Sequence, residues 1–461
     1  MSQEKLNLRN RKVLVVGLGK TGEAVVDFLE EQGALVSVSE KKPASELGPK
    51  LREFEEKGIR IESGGHKLET FLASDLIIPS PGVPLLPEIK AAQEAGIPVL
   101  SEIELAGLFM RGELIGITGT NGKSTTTTLT YQILKAGKKR VHLAGNIGVP
   151  LIRYAATSRP TDIYVTEISS FQLAFCQNFR CQVAAFLNFS PNHLDWHGSL
   201  DAYWEAKKKL FINLTEKDMA ILNRDDAKVW SLRQEISACP YFFSQKRPVT
   251  KGAYLKGDRI WLNDGQEQLA LPLKAIKLRG AHNIDNVMVS LLVGQFFGVP
   301  LSQMKKVISQ FPGLEHRLEK VLTWRGITFF NDSKATTVDA TIKAINSLEP
   351  GIVLIMGGRD KGADFTLLRP AIKGRVRHLV LLGEAKEKIR QALKEVIPIS
   401  LASTMREAVN LAFEKARPGE SVLLSPACTS FDMFSNFEHR GRVFKQEVRR
   451  LARWVKGSRR K

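Results

Sequence analysis

The segment Thr118-Gly-Thr-Asn-Gly-Lys-Ser-Thr125 follows an apolar run, Leu114-Ile-Gly-Ile-Thr118, and enters a threonine-rich stretch of helical character over 124–135. A strand, a glycine-rich turn and a helix in that order place backbone N–H groups and a helix N-terminus around a polyphosphate, with a lysine on the β and γ phosphates and a hydroxyl facing Mg2+. The residues for those tasks are Gly119, Thr120, Asn121, Gly122, Lys123, Ser124 and Thr125. The strict G-x-x-x-x-G-K-[ST] spacing is not met, because position 117 is Ile and the glycines fall at 116, 119 and 122. The flanking strand and helix carry the reading, which is ATP binding. Glu167 closes a second strand, Asp162-Ile-Tyr-Val-Thr-Glu167, at the end that faces phosphate in such sheets, where a carboxylate suits Mg2+. A helix cap or a surface acid is the plainer alternative for that residue.

A second glycine turn, Gly17-x-Gly19-x-x-Gly22, has Glu40 at the end of the following strand and so satisfies the dinucleotide fingerprint. Read alone it predicts an NAD-dependent oxidoreductase. Its physics is less specific, since such glycines admit any pyrophosphate to a helix N-terminus, a UDP-sugar included.

These turns need parallel sheets to hold them. Residues 12–40 read as one βαβ unit, and Leu76–Ile78 and Pro98–Leu100 read as further strands. The run at 114–118 opens a second domain with strands at 163–165 and 183–187, and residues 241–273 look like a small antiparallel excursion. A third unit opens near Phe311 with strands at 327–330, 352–356, 378–382 and 421–424. The expectation is an α/β protein of three domains: a Rossmann-like domain over 1–103, a central P-loop ATPase-type domain over 104–313, and a second Rossmann-like domain over 314–461. A length of 461 residues accommodates all three.

The formal net charge is +19, which first suggests nucleic acid and a nucleic-acid-stimulated ATPase. Its distribution argues otherwise: the balance is −2 over 1–100, +9 over 101–313 and +12 over 314–461. Ten basic residues against one acid lie in 440–461 alone. There Phe444, Val448, Leu451 and Val455 form an apolar helical stripe, with Arg442, Lys445, Arg449, Arg453 and Lys456 around the rest. A last helix docked on its own domain, charges in water, is preferred over a membrane-lying one. The four cysteines read as reduced packing residues. No stretch is long and apolar enough to span a bilayer, and the N-terminal residues lack a signal peptide's apolar core, so the cytoplasm is expected.

Beyond these local readings, the phosphate loop, Glu167-Ile-Ser-Ser-Phe-Gln-Leu173, Asn192-His-Leu-Asp195, Gly280-Ala-His-Asn283, His316-Arg317, Asn331-Asp-Ser-Lys-Ala-Thr336 and Ser425-Pro-Ala-Cys-Thr-Ser430 occur in order along the whole chain. Together they resemble the Mur ligase family. The Glu167–Leu173 stretch, and Ser425–Ser430 followed by Asn436-Phe-Glu-His-Arg-Gly441, point to the branch that adds D-glutamate. The Asp-Asn-Pro-Arg signature of the diaminopimelate- and lysine-adding branches is absent. Another amino-acid-adding member of the family and the NAD enzyme are the alternatives.

The resemblance implies ATP-driven amide synthesis on UDP-N-acetylmuramoyl-L-alanine through an acyl phosphate, in peptidoglycan precursor synthesis. It implies ATP and Mg2+ at two sites, small-molecule substrates, no nucleic acid, no stable membrane insertion and a monomer. By the same likeness Lys123, His193 and Lys207 are catalytic. Ser124, Glu167, His193 and Lys207 serve the metal, Lys207 as a carbamate. The plainer reading of Lys207, Lys208 and Lys209 is an exposed basic face, and His193 with His197 has the spacing of a zinc helix in a segment that reads as loop. Asn283, Asn286, Arg317 and Asp332 fall on the nucleotide; Gly17, Lys20, Thr21, Ser80 and Asn146 on the UDP substrate; and Lys334, Thr336, Lys361, Ser430 and Phe437 on D-glutamate. Ser39-Glu40-Lys41 departs from the Asp-Thr-Arg type of sequence expected for uracil recognition.

Overall fold

A computed structural model describes residues 6–278, 280–360 and 362–457, with the backbone alone for Lys50, Asp195 and 454–457. The chain divides into two compact units. One runs to Ala275 and takes in His282–Gln310; the other comprises Ile276–Ala281 and the chain from Phe311.

The first unit holds two sheets. Strands β1 (Lys12–Val16), β2 (Leu35–Glu40), β3 (Arg60–Ser63) and β4 (Leu76–Pro79) are all parallel in the order β3-β2-β1-β4. After β1 the chain winds one way through helix α1 (Lys20–Glu31) to β2 and β3, then returns to the other side of β1 as β4. The ends of β1 and β4 are therefore the switch point where such a sheet opens a crevice. The Pro98–Leu100 segment is not a strand. It makes one parallel bridge, Ile77 with Val99, because the proline has no N–H to extend the ladder and offers only its carbonyl to Ile77.

The second sheet has nine strands: β5 (Glu113–Thr118), β6 (Val141–Gly145), β7 (Ile163–Glu167), β8 (Val183–Phe186), β9 (Met219–Asn223), β10 (Cys239–Ser244), β11 (Lys251–Lys256), β12 (Arg259–Asp264) and β13 (Glu267–Pro272). Their order is β6-β7-β5-β8-β9-β10-β11-β12-β13. All neighbours are parallel through β11, so the expected antiparallel excursion begins only with β12 and β13. Strand β5 lies between β7 and β8, which puts this sheet's switch point at Thr118. Helix α2 (Lys123–Ala136) leaves that point; helix α3 (Leu200–Ile212) carries Lys207, and helix α4 (His282–Phe296) pairs with α2. The α2 threonines serve that pairing: Thr126 donates to Asn286 at 3.0 Å and Thr130 to Ser290 at 3.1 Å, so a helix with few large apolar residues still buries one side.

In the second unit β14 (Glu319–Trp324), β15 (Ile327–Asn331), β16 (Ile352–Gly357), β17 (Val376–Leu382), β18 (Ile399–Leu401) and β19 (Ser421–Leu424) are ordered β14-β15-β19-β16-β17-β18, parallel apart from β14. Successive residues serve opposite cores: Leu354, Leu379 and Leu423 pack on one face, and Val353, Val380 and Val422 on the other. Helix α5 (Phe437–Gly457) covers the second face with Phe444, Val448 and Leu451, each worth about 1.5–3 kcal/mol when fully buried. Val455 and Lys456 lie outside the described side chains. Two of the helix's cations are not in water as expected. Arg440 and Lys445 are buried, the latter between Glu315 and Glu319.

Candidate active site

Helix α2 starts at Lys123 with Gly122 as its N-cap, a residue with no side chain to cap the first turn, and a helix N-terminus of that kind suits an anion. Gly122 has φ of +86°, and a Cβ there would stand 2.5 Å from Asn286 Oδ1. The loop is braced from the strand beside it. Asn188, just after β8, accepts the Asn121 N–H at 2.9 Å and donates to the Asn121 carbonyl at 3.1 Å, while the Thr120 hydroxyl donates to the Ser190 carbonyl at 3.1 Å. The Lys123 ammonium curls over the turn to the carbonyls of Gly119 (2.8 Å) and Thr120 (3.0 Å). Ser124 and Thr125 are buried in the first helical turn. Asn188 carried no signal in the sequence that separated it from an ordinary loop residue.

Glu167 ends β7 and is in register with Ile117 of β5, one residue short of the loop. It is not the cap of the next helix: Ser169 and Gln172 form that capping box themselves. Its Oε1 accepts from Asn146 Nδ2 at 2.7 Å, and its Oε2 is buried with no hydrogen-bond partner among the described residues. An orphaned buried carboxylate oxygen is costly unless a cation or donor completes it. That oxygen and the Ser124 hydroxyl suit Mg2+, which takes few protein oxygens and fills its sphere with phosphate and water. Among the described residues no group of three or more His, Cys, Asp and Glu forms a metal cage. His193 is exposed with φ of +54°, its ring 4.7 Å from that of Phe171, and His197 bonds Ser170 at 2.9 Å. Leu194–His197 is one helical turn rather than loop, closed by Gly198 at φ of +75°.

Lys207 lies 1% exposed on α3, which rules out the exposed basic face for it. Its ammonium nitrogen is 3.0 Å from the Gly119 carbonyl and 3.3 Å from Thr118 Oγ1, at the back of the phosphate loop. Burial, and then the charge of Lys123, push its pKa well below the usual lysine range, against the pull of Glu167. Lys208 instead pairs with Glu205 and Glu235, and Lys209 donates to the Ala174 carbonyl. Asn286 joins Asn283 at 2.8 Å and presses on the loop through Gly122, so both predicted nucleotide asparagines stand at the start of α4 beside the phosphates' place.

At the first sheet's switch point Ser80 donates to the Gly17 carbonyl at 2.7 Å, and a Cβ on Gly22 would come within 2.1 Å of that carbonyl. The turn is closed around its glycines, with Lys20 exposed and Thr21 half-buried at the start of α1. Glu40, the acid of the dinucleotide fingerprint, accepts from the backbone of Leu18 at 2.6 Å and of Lys42 at 3.0 Å, so it braces the turn. A cleft lined by Ser80, Val83, Phe171, Gln172 and Trp196 runs from this turn to the segment that follows Glu167.

The second unit gathers a separate set at the ends of β15 and β19. Asp332 accepts from the Leu318 N–H and the Ser425 hydroxyl, both at 3.0 Å, and burial raises its pKa to about 7 against those bonds and the Arg317 charge. Lys334 places its ammonium 5.3 Å from the centre of the Phe437 ring, and Thr336 follows it, half-buried. Ser430 is buried. Lys361 lies outside the described residues. Arg440, to which the sequence assigned no role, ties this set together. Its guanidinium donates to Ser333 Oγ (3.0 Å), the Ser333 carbonyl (2.8 Å) and the carbonyls of Cys428 and Thr429 (3.1 Å each).

Comparison with known proteins finds relatives along the whole chain. Sequence profiles of three domains match in order: "Mur ligase MurD-like, N-terminal domain" over 11–101, "Mur ligase middle domain" over 117–294, and "Mur ligase, glutamate ligase domain" over 316–428. A UDP-N-acetylmuramoylalanine--D-glutamate ligase of Koribacter versatilis is 43% identical over 97% of this chain and 99% of its own length. The like-named protein of Acidobacterium capsulatum is 43% identical over 98% and 100%. In fold, the chain is similar to a pseudomurein peptide ligase type C from Methanothermus fervidus (TM-score 0.58, 18% identity, 96% and 100% covered). It is equally similar to the UDP-N-acetylmuramate-alanine ligase MurC from Thermotoga maritima (TM-score 0.58, 18% identity, 95% and 99% covered). Near-complete coverage at 43% identity, with three successive domain profiles, means that the chain belongs to the Mur ligase family.

Proposed function

We infer that this chain is an ATP-dependent ligase that joins D-glutamate to UDP-N-acetylmuramoyl-L-alanine in peptidoglycan precursor synthesis. The observation that carries the reading is the meeting, at the end of β5, of an uncapped helix N-terminus, the open oxygen of Glu167 and the buried amine of Lys207. The choice of D-glutamate rests on the full-length relatives that bear that activity in their names.

In this reading the first-turn amides of α2 and the Lys123 ammonium hold the β and γ phosphates of ATP and offset the repulsion as the muramoyl-L-alanine carboxylate approaches. That carboxylate attacks the γ-phosphorus and ADP leaves, giving an acyl phosphate. The amine of D-glutamate then adds to the carbonyl, and phosphate departs from the tetrahedral intermediate. Glu167 and Ser124, with His193 and Lys207, are the residues to hold Mg2+ at two sites; the ion supplies charge neutralisation on the phosphates. Lys207 serves as a carbamate: its neutral amine adds to CO2, loses a proton and becomes an oxygen ligand. The depressed basicity of this lysine supports that step, since only the unprotonated amine reacts.

Asn283, Asn286, Arg317 and Asp332 take the nucleoside and phosphate; Lys334, Thr336, Lys361, Ser430 and Phe437 take the two carboxylates and the chain of D-glutamate. Gly17, Lys20, Thr21, Ser80 and Asn146 take the UDP substrate. The working domains are 1–103, 104–313 and 314–461, and the enzyme acts as a cytoplasmic monomer. Among the described residues no helix is long and apolar enough to cross a membrane. The test is phosphate release from ATP with UDP-N-acetylmuramoyl-L-alanine, comparing D-glutamate, L-glutamate, meso-diaminopimelate and no amino acid. Release with D-glutamate alone is expected, and release indifferent to the amino acid would reject the assignment.

A further inference from the structure

Ligase chemistry leaves the charge of the last helix unused. Around α5 three sides differ. Phe444, Val448 and Leu451 are buried in the core of their own sheet. Arg440 and Lys445 are turned inward onto carbonyls and onto Glu315 and Glu319. The side opposite the apolar stripe carries Arg442, Arg449 and Arg453, all exposed. At about 100° and 1.5 Å per residue these three lie within about 40° of one another and form a row about 16 Å long. Gln446 is the fourth residue of that row, and Glu438, one turn before Arg442, is its one acid. Glu447, round the flank, is engaged by Arg450 and Arg406. Glu315 of the neighbouring segment is engaged by Lys445 and also feels Arg442. Among the described residues Arg449 and Arg453 form no ion pair. Beyond Arg453 the sequence adds Lys456, Arg459, Arg460 and Lys461 with no acid.

We propose that this arginine row is a peripheral docking surface for an anionic lipid bilayer. The apolar side of the helix is committed to its own domain, so nothing is left to insert and adhesion is coulombic, by cations facing a plane of phosphodiesters. Single-stranded nucleic acid is held by aromatic side chains interleaved with cations, and the row of Arg442, Gln446, Arg449 and Arg453 contains none. The inference is independent of which amino acid the enzyme adds.

Each cation near an anionic surface strengthens partitioning about fivefold, so the three arginines together contribute on the order of a hundredfold. The test is co-sedimentation of the full-length protein with vesicles of phosphatidylcholine containing roughly one-third phosphatidylglycerol, with pure phosphatidylcholine vesicles and duplex DNA as comparators. Wild type is expected to bind the anionic vesicles, to ignore the neutral ones, and to be released as salt rises from about 50 to 300 mM. The combined Arg442→Gln, Arg449→Gln, Arg453→Gln variant should lose about a hundredfold in partitioning while keeping its ATP turnover. Should that variant fail to fold, replacing the same three residues by Lys keeps the charge and must keep the binding. Equal partitioning of wild type and the Gln variant, loss of binding in the Lys variant, or tighter binding to DNA than to anionic vesicles at equal salt overturns the proposal.

Discussion

Glu102→Gln is the substitution whose effect the structure sets most fully. Glu102 follows the N-cap Ser101 and is 1% exposed. Its Oε1 accepts the Ile152 N–H at 2.8 Å, and its Oε2 is buried with no partner among the described residues. Burial is the dominant influence and lifts the carboxyl from 4.5 to about 7, against the Ile152 hydrogen bond and the nearby polar groups of Gln172 and Leu151. One pKa unit is ~1.4 kcal/mol, so a rise of that size amounts to about 3 kcal/mol of stability.

The sign follows from where each state holds its proton. Below pH 4.5 folded and unfolded chains are both protonated and the buried acid is tolerated in full. As pH rises the unfolded chain releases a proton that the folded chain keeps, so stability falls until about pH 7, where the folded carboxyl also ionises and the loss is complete. Glutamine keeps the shape and the acceptor for Ile152 but does not titrate. Urea unfolding of the full chain, followed by tryptophan fluorescence at steps from about pH 4.5 to 8, should show wild type losing about 3 kcal/mol relative to Glu102→Gln across that range. Stability profiles that run parallel over the whole range would refute a protonated, buried Glu102.

Three further outcomes follow from the site. Lys123→Ala should reduce phosphate release by about a thousandfold or more with an unchanged circular dichroism spectrum, and retained turnover would mean that the loop holds no phosphate. Asn146→Ala removes the 2.7 Å donor that aims Glu167; kcat should drop about 10- to 100-fold and the Mg2+ needed for half-maximal rate should rise, whereas an unchanged Mg2+ dependence would detach Asn146 from the metal carboxylate. Gly22→Ala forces a Cβ to 2.1 Å from the Gly17 carbonyl, so the first sheet should lose about 2 kcal/mol or more and KM should rise for the UDP substrate but not for ATP. Equal rises in both constants would count against a UDP site at that turn.

The parallel sheets were legible because fully buried strands such as Leu76–Pro79, Val183–Phe186 and Ile352–Gly357 read as unbroken apolar runs. Half-exposed or short strands were not: Arg60–Ser63 and Ile399–Leu401 lack such a run, and the 98–100 run failed for want of the proline's N–H. Among site residues, those with a local neighbourhood could be named in advance, as Lys123 was from its glycines. Asn188 and Arg440 could not, since Asn121 lies 67 residues from the first and Ser333, which takes two of the bonds of Arg440, lies 107 residues from the second.

By itself, then, the sequence determined what depends on near neighbours and on type: the strand, glycine turn and helix that make a phosphate loop, the carboxylate that ends β7, and the apolar stripe of the last helix. Tertiary structure decided the states of the groups. Lys207 is a buried, weakly basic amine rather than one of three exposed lysines because α3 packs it behind Gly119, and Glu40 braces the Gly17 turn because Leu18 and Lys42 aim their N–H groups at it. Charge state and hydrogen-bond partner are set by desolvation and by groups distant in the chain, and neither quantity is carried by a residue's identity or its spacing.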